Sequence, residues 1–501
     1  MSDLAVLAPL RIEARALRGG ASGATVVVTG YGRRRSEEAA ARVADTAAGQ
    51  RAVAVGGFCG AVEPDLQPGD LVVASTVVGP DGREHTFPGA AMLAGELARA
   101  GLRAVDGPVH SIERLVRGRG RVALHENGAV AADMESVWLV DAIPTGTPRV
   151  VVRAVTDAPG RELVSPRAPV NAWRAARSLR SAVPVLERWA AAVRPRRVLL
   201  ASPRGFCAGV ERAIDVVERA LERFGPPVYV RRHIIHNTHV VADLAARGAV
   251  FVEELSDVPD GARVVFAAHG IAPAVREDAE RRGLDTIDAT CPLVAKVHTE
   301  VRRSAAKDYT VLLIGHPDHE EVQGTVGEAP EAISIVEDRA AADVVDVRDP
   351  DKVAYVTQTT LAVDEVADIV RRLQQRFPAI EGPARDDICY ATQNRQDAVR
   401  TLAAECDVVL VVGSPTSSNS NRLVEVVRRE GCRAHLVDDD SRLELSWIGD
   451  AGTVGVTAGA SAPEAMVQRV VAALGALGPV DLEERHVRDE DVHFTLPAEV
   501  R

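Results

Sequence analysis

Three cysteines stand at the same kind of place in this sequence. Cys207 follows VLLASPRGF and opens AGVERAIDVVERAL, Cys291 follows TIDAT and opens PLVAKVHTEVRRS, and Cys389 follows DDI and opens YATQNRQDAVRTLAAE. Each lies where a strand or extended segment hands over to a helix. The free N–H groups and partial positive charge of a helix N-terminus lower a thiol's pKa and favour the thiolate, the form that binds metal. Three such thiolates, one per structural unit, suit a shared metal centre. The stretches between them, 83 and 97 residues, are unlike the close CxxC pairs of zinc ribbons and ferredoxins. Spacing alone therefore leaves a second reading open, three small buried residues. Cys59, Cys406 and Cys432 fit that second reading and are expected to be packing residues.

Polar stations lie between the cysteines. His236-Asn237 follows VYVRRHII, His269-Gly270 follows RVVFAA, His316 to Glu321 follow TVLLIG, and Thr357 to Thr360 follow VAYV. Further on, Ser414 to Asn419 follow DVVLVVG, and Thr457 to Ser461 follow TVGV. All sit at carboxyl ends of strands, where open α/β sheets bind ligands. Small hydroxyl residues leading into a helix suit an anion such as phosphate, and histidines add donors. One station is explained by ordinary helix capping; six beside three poised cysteines point to a site.

The elements that must position these residues are legible as a rhythm. Short β-branched runs (TVVVTG, RAVAVGG, DLVVAS, RVVVRAVTD, RVLLAS, RVVFAAHG, TVLLIGH, VAYVTQTT, DVVLVVGS, GTVGVTAG) alternate with Ala- and Arg-rich helical stretches, which predicts α/β units with largely parallel sheets. At 501 residues two or more folding units are required. The clearest seam is Val193-Arg194-Pro195-Arg196-Arg197. It predicts a domain over 1–193, a linker over 194–197 and a second domain over 198–501.

Composition narrows the class. Hydrophobic residues at 46% supply packed interiors, and a net charge of −12 without a long basic run argues against nucleic acid as a partner. The N-terminus lacks the basic start and small-residue cleavage site of a secretory signal, and no apolar run approaches the ~20 residues of a membrane span. The expectation is a cytoplasmic chain with reduced cysteines, any membrane or lipid contact being peripheral.

The strings PRGFCAGVERAI, AHGIAP, DATCPLVAKVH, EEVQGTVG, VTQTTLAVDE, DDICYATQNRQ, GSPTSSNSNRL and TAGASAPE, in unbroken order from about Arg196 onward, resemble the 4-hydroxy-3-methylbut-2-enyl diphosphate reductase family. The resemblance implies three related α/β units around a central [4Fe–4S] cluster, with Cys207, Cys291 and Cys389 holding three irons and the fourth left for substrate. It implies reductive dehydroxylation of an allylic diphosphate to isopentenyl and dimethylallyl diphosphates, the last step of the methylerythritol phosphate route, and a low-potential electron donor such as ferredoxin or flavodoxin. By position, His236, His269, His319, Ser417, Ser418, Asn419 and Ser461 would grip the diphosphate. Glu321 would relay protons, with Thr359 as its hydroxyl partner near the substrate oxygen. A buried carboxyl group there is expected to have a raised pKa. Glu320 stands where the family commonly has proline, so choosing Glu321 rests on alignment through Val322 and Gly324-Thr325. Pro415-Thr416 replaces a more usual basic and polar pair. A zinc site built from the three cysteines and a histidine is the competing reading.

In the first 193 residues, AVLAPLRIEARAL, TVVVTGYGRR, AVAVGGFCGAVEPDLQPGDLVVAS, GAVAADMESVWLV and VVVRAVTDAPG resemble the purine nucleoside phosphorylase and nucleosidase superfamily, and within it the hopanoid-associated branch. The resemblance implies that Met134 and Glu135 bind a ribose, that Glu13 helps activate the nucleophile, and that Asp157 protonates a departing base. The implied substrate is an adenosyl-hopane-type nucleoside. Such groups are what cleavage through an oxocarbenium-like state needs. The alternative is a stabilising or interaction module without chemistry, in which Glu135 is an exposed helix residue and Asp157 a turn residue. Arg33, Arg34 and Arg35 either meet a phosphate nucleophile or face solvent.

Overall fold

The computed structural model describes residues 3–161 and 165–501. Contacts divide the chain into two compact units, one of residues 1–198, 439–454 and 468–483, the other of residues 199–438, 455–467 and 484–501.

In the first unit the central strands are apolar and buried, with Leu4–Ala8 and Leu71–Ala74 buried throughout, while the edge strands Thr25–Val28 and Glu84–Thr86 are more exposed. The sheet runs in the order Thr25–Val28, Leu4–Ala8, Ala52–Ala61, Ala131–Asp133, Ala104–Ser111, Leu71–Val78, Glu84–Thr86. Arg149–Asp157 pairs parallel with Ala52–Ala61 and antiparallel with Leu71–Val78. Those pairings close five strands into a ring, which leaves no free edge among them.

The second unit holds most of three further sheets. Ala249–Val252, Val228–Arg231, Arg263–Phe266 and Asp285–Asp288 form the first, all parallel. Ile333–Val336, Thr310–Ile314 and Val353–Thr357 form the second, again parallel. The third has five strands in the order Arg433–Val437, Val408–Val412, Thr453–Ala458, Arg196–Ser202, Val480–His486. Its strand Arg196–Ser202 starts inside the sequence-predicted linker. The mixed α/β class and the three C-terminal α/β units match the sequence reading.

The helices are set by spacing. Ala208–Phe224 buries Ala213, Val216, Val217, Ala220 and Leu221, a three-and-four repeat that lays one stripe on the first sheet's core. Gly225, at φ 75°, ends it in a conformation side chains resist. No helix among the described residues is long and apolar enough to cross a membrane.

Candidate active site

Each of the three cysteines is the residue that caps a helix. Cys207 precedes Ala208–Phe224, Cys291 precedes Pro292–Ala305, and Cys389 precedes Tyr390–Glu405, all three in extended backbone. All three line one cavity of about 110 Å³, which His236, His269, His319, Glu321, Thr359, Ser417, Ser418, Asn419 and Ser461 also line. Every residue expected in the C-terminal site is therefore brought together. Each of the three sheets contributes two of the polar stations; Cys207 and Cys291 follow strands of the third and first sheets, and Cys389 follows a loop.

The thiols differ from expectation in one respect. Burial pushes Cys291 up to about 12 and Cys389 up to about 11, against N–H donors from Leu293 and Val294 and from Thr392 that act in the opposite sense. Desolvation outweighs the helix N-terminus, so both thiols are protonated near neutrality and metal binding must displace protons. Glycine at position 209 keeps the space beside two of the sulfurs clear. A Cβ on Gly209 would come within 2.8 Å of the Cys291 sulfur and 3.8 Å of the Cys207 sulfur. Among the described residues no three His, Cys, Asp or Glu side chains converge tightly enough for a single ion. Three thiol donors lining one cavity fit an iron–sulfur cluster.

The histidines form a packed group. His236 stacks on His269 with centroids 4.1 Å apart, and His319 sits edge-on to both at 5.4 and 6.0 Å. Burial and mutual repulsion push His236 down to about 2 and His319 to about 4, so both are neutral. The N–H of Glu321 donates to His319 Nδ1 at 3.2 Å, which places the ring proton on Nε2. That Nε2, and Nε2 of His236, are buried without a hydrogen-bond partner. Unpaired buried polar atoms facing a cavity are costly, and an anion there would satisfy them. Lys and Arg are absent from the lining, so a diphosphate would be held by neutral donors and helix N-termini.

The opposite wall is hydroxyl and amide. Ser417 caps the helix Ser418–Arg429, and Ser418 receives the Thr360 hydroxyl at 3.0 Å. Asn419 accepts from Ala460 N–H at 2.9 Å and donates to Thr392 at 3.2 Å, while Ser461 donates to the His236 carbonyl at 3.1 Å. These residues hold the wall as well as line it. Thr360 and Gln358 belong to the Thr357 to Thr360 station, with no individual role assigned to either from sequence. Gln358 donates to Thr360 at 2.9 Å and accepts from His316 N–H at 3.1 Å, and the TQTT run was its only signal.

Glu321 is 3% exposed, and burial pushes its carboxyl up to about 7. Glu320, next to it, pairs with His269 at 3.2 Å and is held below the ordinary carboxylate range once its hydrogen bond to that ring is set against burial. Adjacent acids thus have opposite characters, and the one chosen by alignment is the one able to hold a proton near neutrality.

In the first unit Glu13, Met134, Glu135 and Asp157 line one cavity of about 220 Å³. Glu135 is 4% exposed and pushed up to about 7 by burial, and Asp157 is 2% exposed, so neither is the surface residue of the alternative reading. Glu13 accepts from the N–H groups of Phe58 at 2.7 Å and Leu10 at 2.6 Å. Sequence reasoning missed the cations. Fully buried Arg153 pairs with Asp133 at 2.7 Å and faces Glu135 at 3.7 Å, and Arg121 forms a buried ion pair with Asp157. Arg33 is half-exposed and pairs with Glu37 and Glu113, and Arg34 with Glu38, so these charges are used locally.

The LytB protein family profile matches residues 198–475, and the Phosphorylase superfamily profile matches residues 13–184. Over 309 residues the chain is 57% identical to the 4-hydroxy-3-methylbut-2-enyl diphosphate reductase of Alcanivorax borkumensis, covering 61% of this chain and 99% of that one. The reductase of Mycolicibacterium paratuberculosis is 57% identical over 307 residues, 61% of this chain and 92% of its own. The solved E-1-hydroxy-2-methyl-but-2-enyl-4-diphosphate reductase of Plasmodium falciparum superposes with a TM-score of 0.59 at 39% identity, covering 61% of this chain and 97% of that one. With its cysteines, histidines and buried acid converging as they do, the chain belongs to the LytB family, that of the 4-hydroxy-3-methylbut-2-enyl diphosphate reductases.

Proposed function

We propose that residues 198–501 reductively dehydroxylate 4-hydroxy-3-methylbut-2-enyl diphosphate to isopentenyl and dimethylallyl diphosphates, the last step of the methylerythritol phosphate route. The observation that carries this reading is the convergence of three helix-capping thiols and a neutral-range buried acid on one cavity walled by unpaired imidazole donors. Cys207, Cys291 and Cys389 would hold a [4Fe–4S] cluster, which when bound supplies low-potential electrons and a Lewis-acidic iron. His236, His269 and His319 turn N–H donors to the diphosphate, joined by Ser417, Ser418, Asn419 and Ser461. Glu321, whose two oxygens accept from the N–H and the hydroxyl of Thr359, would hold a proton near neutrality. That proton leaves with the substrate hydroxyl as water. Two electrons and two protons enter in all, the electrons from a ferredoxin- or flavodoxin-like donor in the cytoplasm. Anaerobic turnover of iron- and sulfide-reconstituted protein with a low-potential reductant tests it. Loss of activity in Cys291→Ser supports the reading, and a colourless zinc protein without turnover overturns it.

Residues 1–193, joined through 194–197, are proposed to cleave the N-glycosidic bond of an adenosyl-hopane-type nucleoside. Met134 and Glu135 would bind the ribose, Glu13 would help activate the nucleophile, and Asp157 would serve the leaving base once its contact with Arg121 opens. Support comes from the buried carboxylates around one cavity and from Tyr31 and Leu115, which line it while standing 51% and 46% exposed. Apolar side chains at a cavity mouth suit a lipid-like substituent and peripheral lipid contact. Base release by the full chain, with and without phosphate, separates phosphorolysis from hydrolysis. No release from any adenosine-type substrate would favour a stabilising module.

A further inference from the structure

The three cysteine-capped helices are tied head to tail by three cations. From the Cys207 helix, Arg212 donates to the carbonyls of Ala289 and Thr290, both at 3.1 Å, in the segment that delivers Cys291. From the Cys291 helix, Lys296 donates to the carbonyls of Arg385 at 2.6 Å and Asp386 at 3.1 Å and to the Asp387 carboxylate at 3.0 Å, in the segment that delivers Cys389. From the Cys389 helix, Arg395 donates to the carbonyls of Gly205 at 2.7 Å and Phe206 at 3.2 Å, in the segment that delivers Cys207. Each cation stands five or six residues after its cysteine, one and a half turns into the helix, and reaches the approach to the next cysteine.

We propose that Arg212, Lys296 and Arg395 form a cyclic positioning ring that sets the spacing of the three thiols before any metal arrives. The physical case is that each approach segment presents carbonyls that lie outside every sheet. A charge-assisted donor both satisfies them and fixes where the following Cα lies. Closure of the ring matters because a change at any one contact moves one thiol relative to the other two. Two members are held from a further direction. Arg395 is fully buried and pairs with Glu490 at 3.0 Å, and Arg212 donates to the Thr495 carbonyl at 2.9 Å. Phe494, between them in sequence, lines the cavity, so the segment 490–495 fastens two ring members and covers the site.

The ring bears on the cluster only through the proposed role of the three cysteines, so its test uses the metal-free full chain. Each cysteine's alkylation rate is followed by mass spectrometry in Lys296→Met, Arg212→Met and Arg395→Lys. The ring expects a displaced pattern, in which each substitution speeds its successor: Lys296→Met raises Cys389 reactivity at least fivefold with Cys207 unchanged, Arg212→Met does so for Cys291, and Arg395→Lys for Cys207. Lys296 is partly exposed, so its variant should melt within a few degrees of the parent, and Lys296→Arg should restore the parental rates. Uniform acceleration of all three cysteines, acceleration of the cysteine on the substituted helix, or no change would each overturn the ring. Iron and sulfide uptake by the parent is read separately. Its failure would overturn the cluster reading and leave the alkylation pattern to judge the ring.

Discussion

The main-chain N–H of Thr359 donates to one oxygen of the Glu321 carboxyl at 2.7 Å, while the Thr359 hydroxyl stands 3.0 Å from the other. Both oxygens thereby accept from Thr359, which fixes the carboxyl in place. Glu321→Gln keeps the size and the first contact but has no proton to give. It should lower turnover by roughly 10²- to 10⁴-fold, the usual worth of a positioned acid. Thr359→Val, which removes only the hydroxyl, should cost less. Anaerobic steady-state rates at matched iron content check both.

The same carboxyl makes stability depend on pH. Its folded value of about 7 lies above the ordinary 4.5, so the folded state favours the protonated form. The contribution is complete below about 4.5 and is lost as pH rises through 7, amounting to ~3 kcal/mol by the end of the window. The parent should therefore lose melting temperature between about pH 4.5 and 7 relative to Glu321→Gln, and the two curves should run parallel above that. Parallel curves within that window would refute the buried, protonated acid.

Gly209 offers a sharper probe of the thiol space than any cysteine. It lies in a helix, where alanine is favoured by up to about 1 kcal/mol. Its added methyl group would nevertheless meet the Cys291 sulfur at 2.8 Å. Gly209→Ala should retain severalfold less iron and sulfide after reconstitution, measured by colorimetric assay, with thermal melting reading the cost of the sulfur contact separately.

Anion binding should draw protons from solution. His319 is held at about 4 by burial and by its neighbour His269, and a diphosphate beside it favours the charged ring. Its pKa must rise on binding, so inorganic diphosphate should bind more tightly as pH falls from 7 to 5, with net proton uptake. Calorimetry in buffers of different ionisation enthalpy measures this, and His319→Ala should take up fewer protons.

In the first unit the buried cation is the vulnerable point. Arg153→Met leaves Asp133 and Glu135 without their counter-charge and should destabilise that unit by about 3–5 kcal/mol, read from urea unfolding. Adding Asp133→Asn should restore part of the loss.

What sequence revealed here was local, and what it missed was long-range. The cysteines, the histidine stations and the TVLLI- and VVLVV-type strands announce themselves through neighbours a few residues away. Arg212, Lys296 and Arg395 do not, because their partners are backbone carbonyls 77 to 190 residues distant and a carbonyl has no sequence signature. Arg153 was likewise invisible inside the apolar run RVVVRAVTD, where its partners come from the DMES segment. The thiol expectation erred in sign because a helix N-terminus is readable from sequence whereas depth of burial is not.

His319 accepts the N–H of Glu321 on one ring nitrogen and turns the other toward the cavity. Anion grip and acid placement therefore share one rigid two-residue lever. A substrate analogue that keeps the allylic alcohol but lacks the diphosphate loses more than affinity, because nothing then pulls the lever into register. Its deficit should fall on the maximal rate as well as on the concentration needed to reach it.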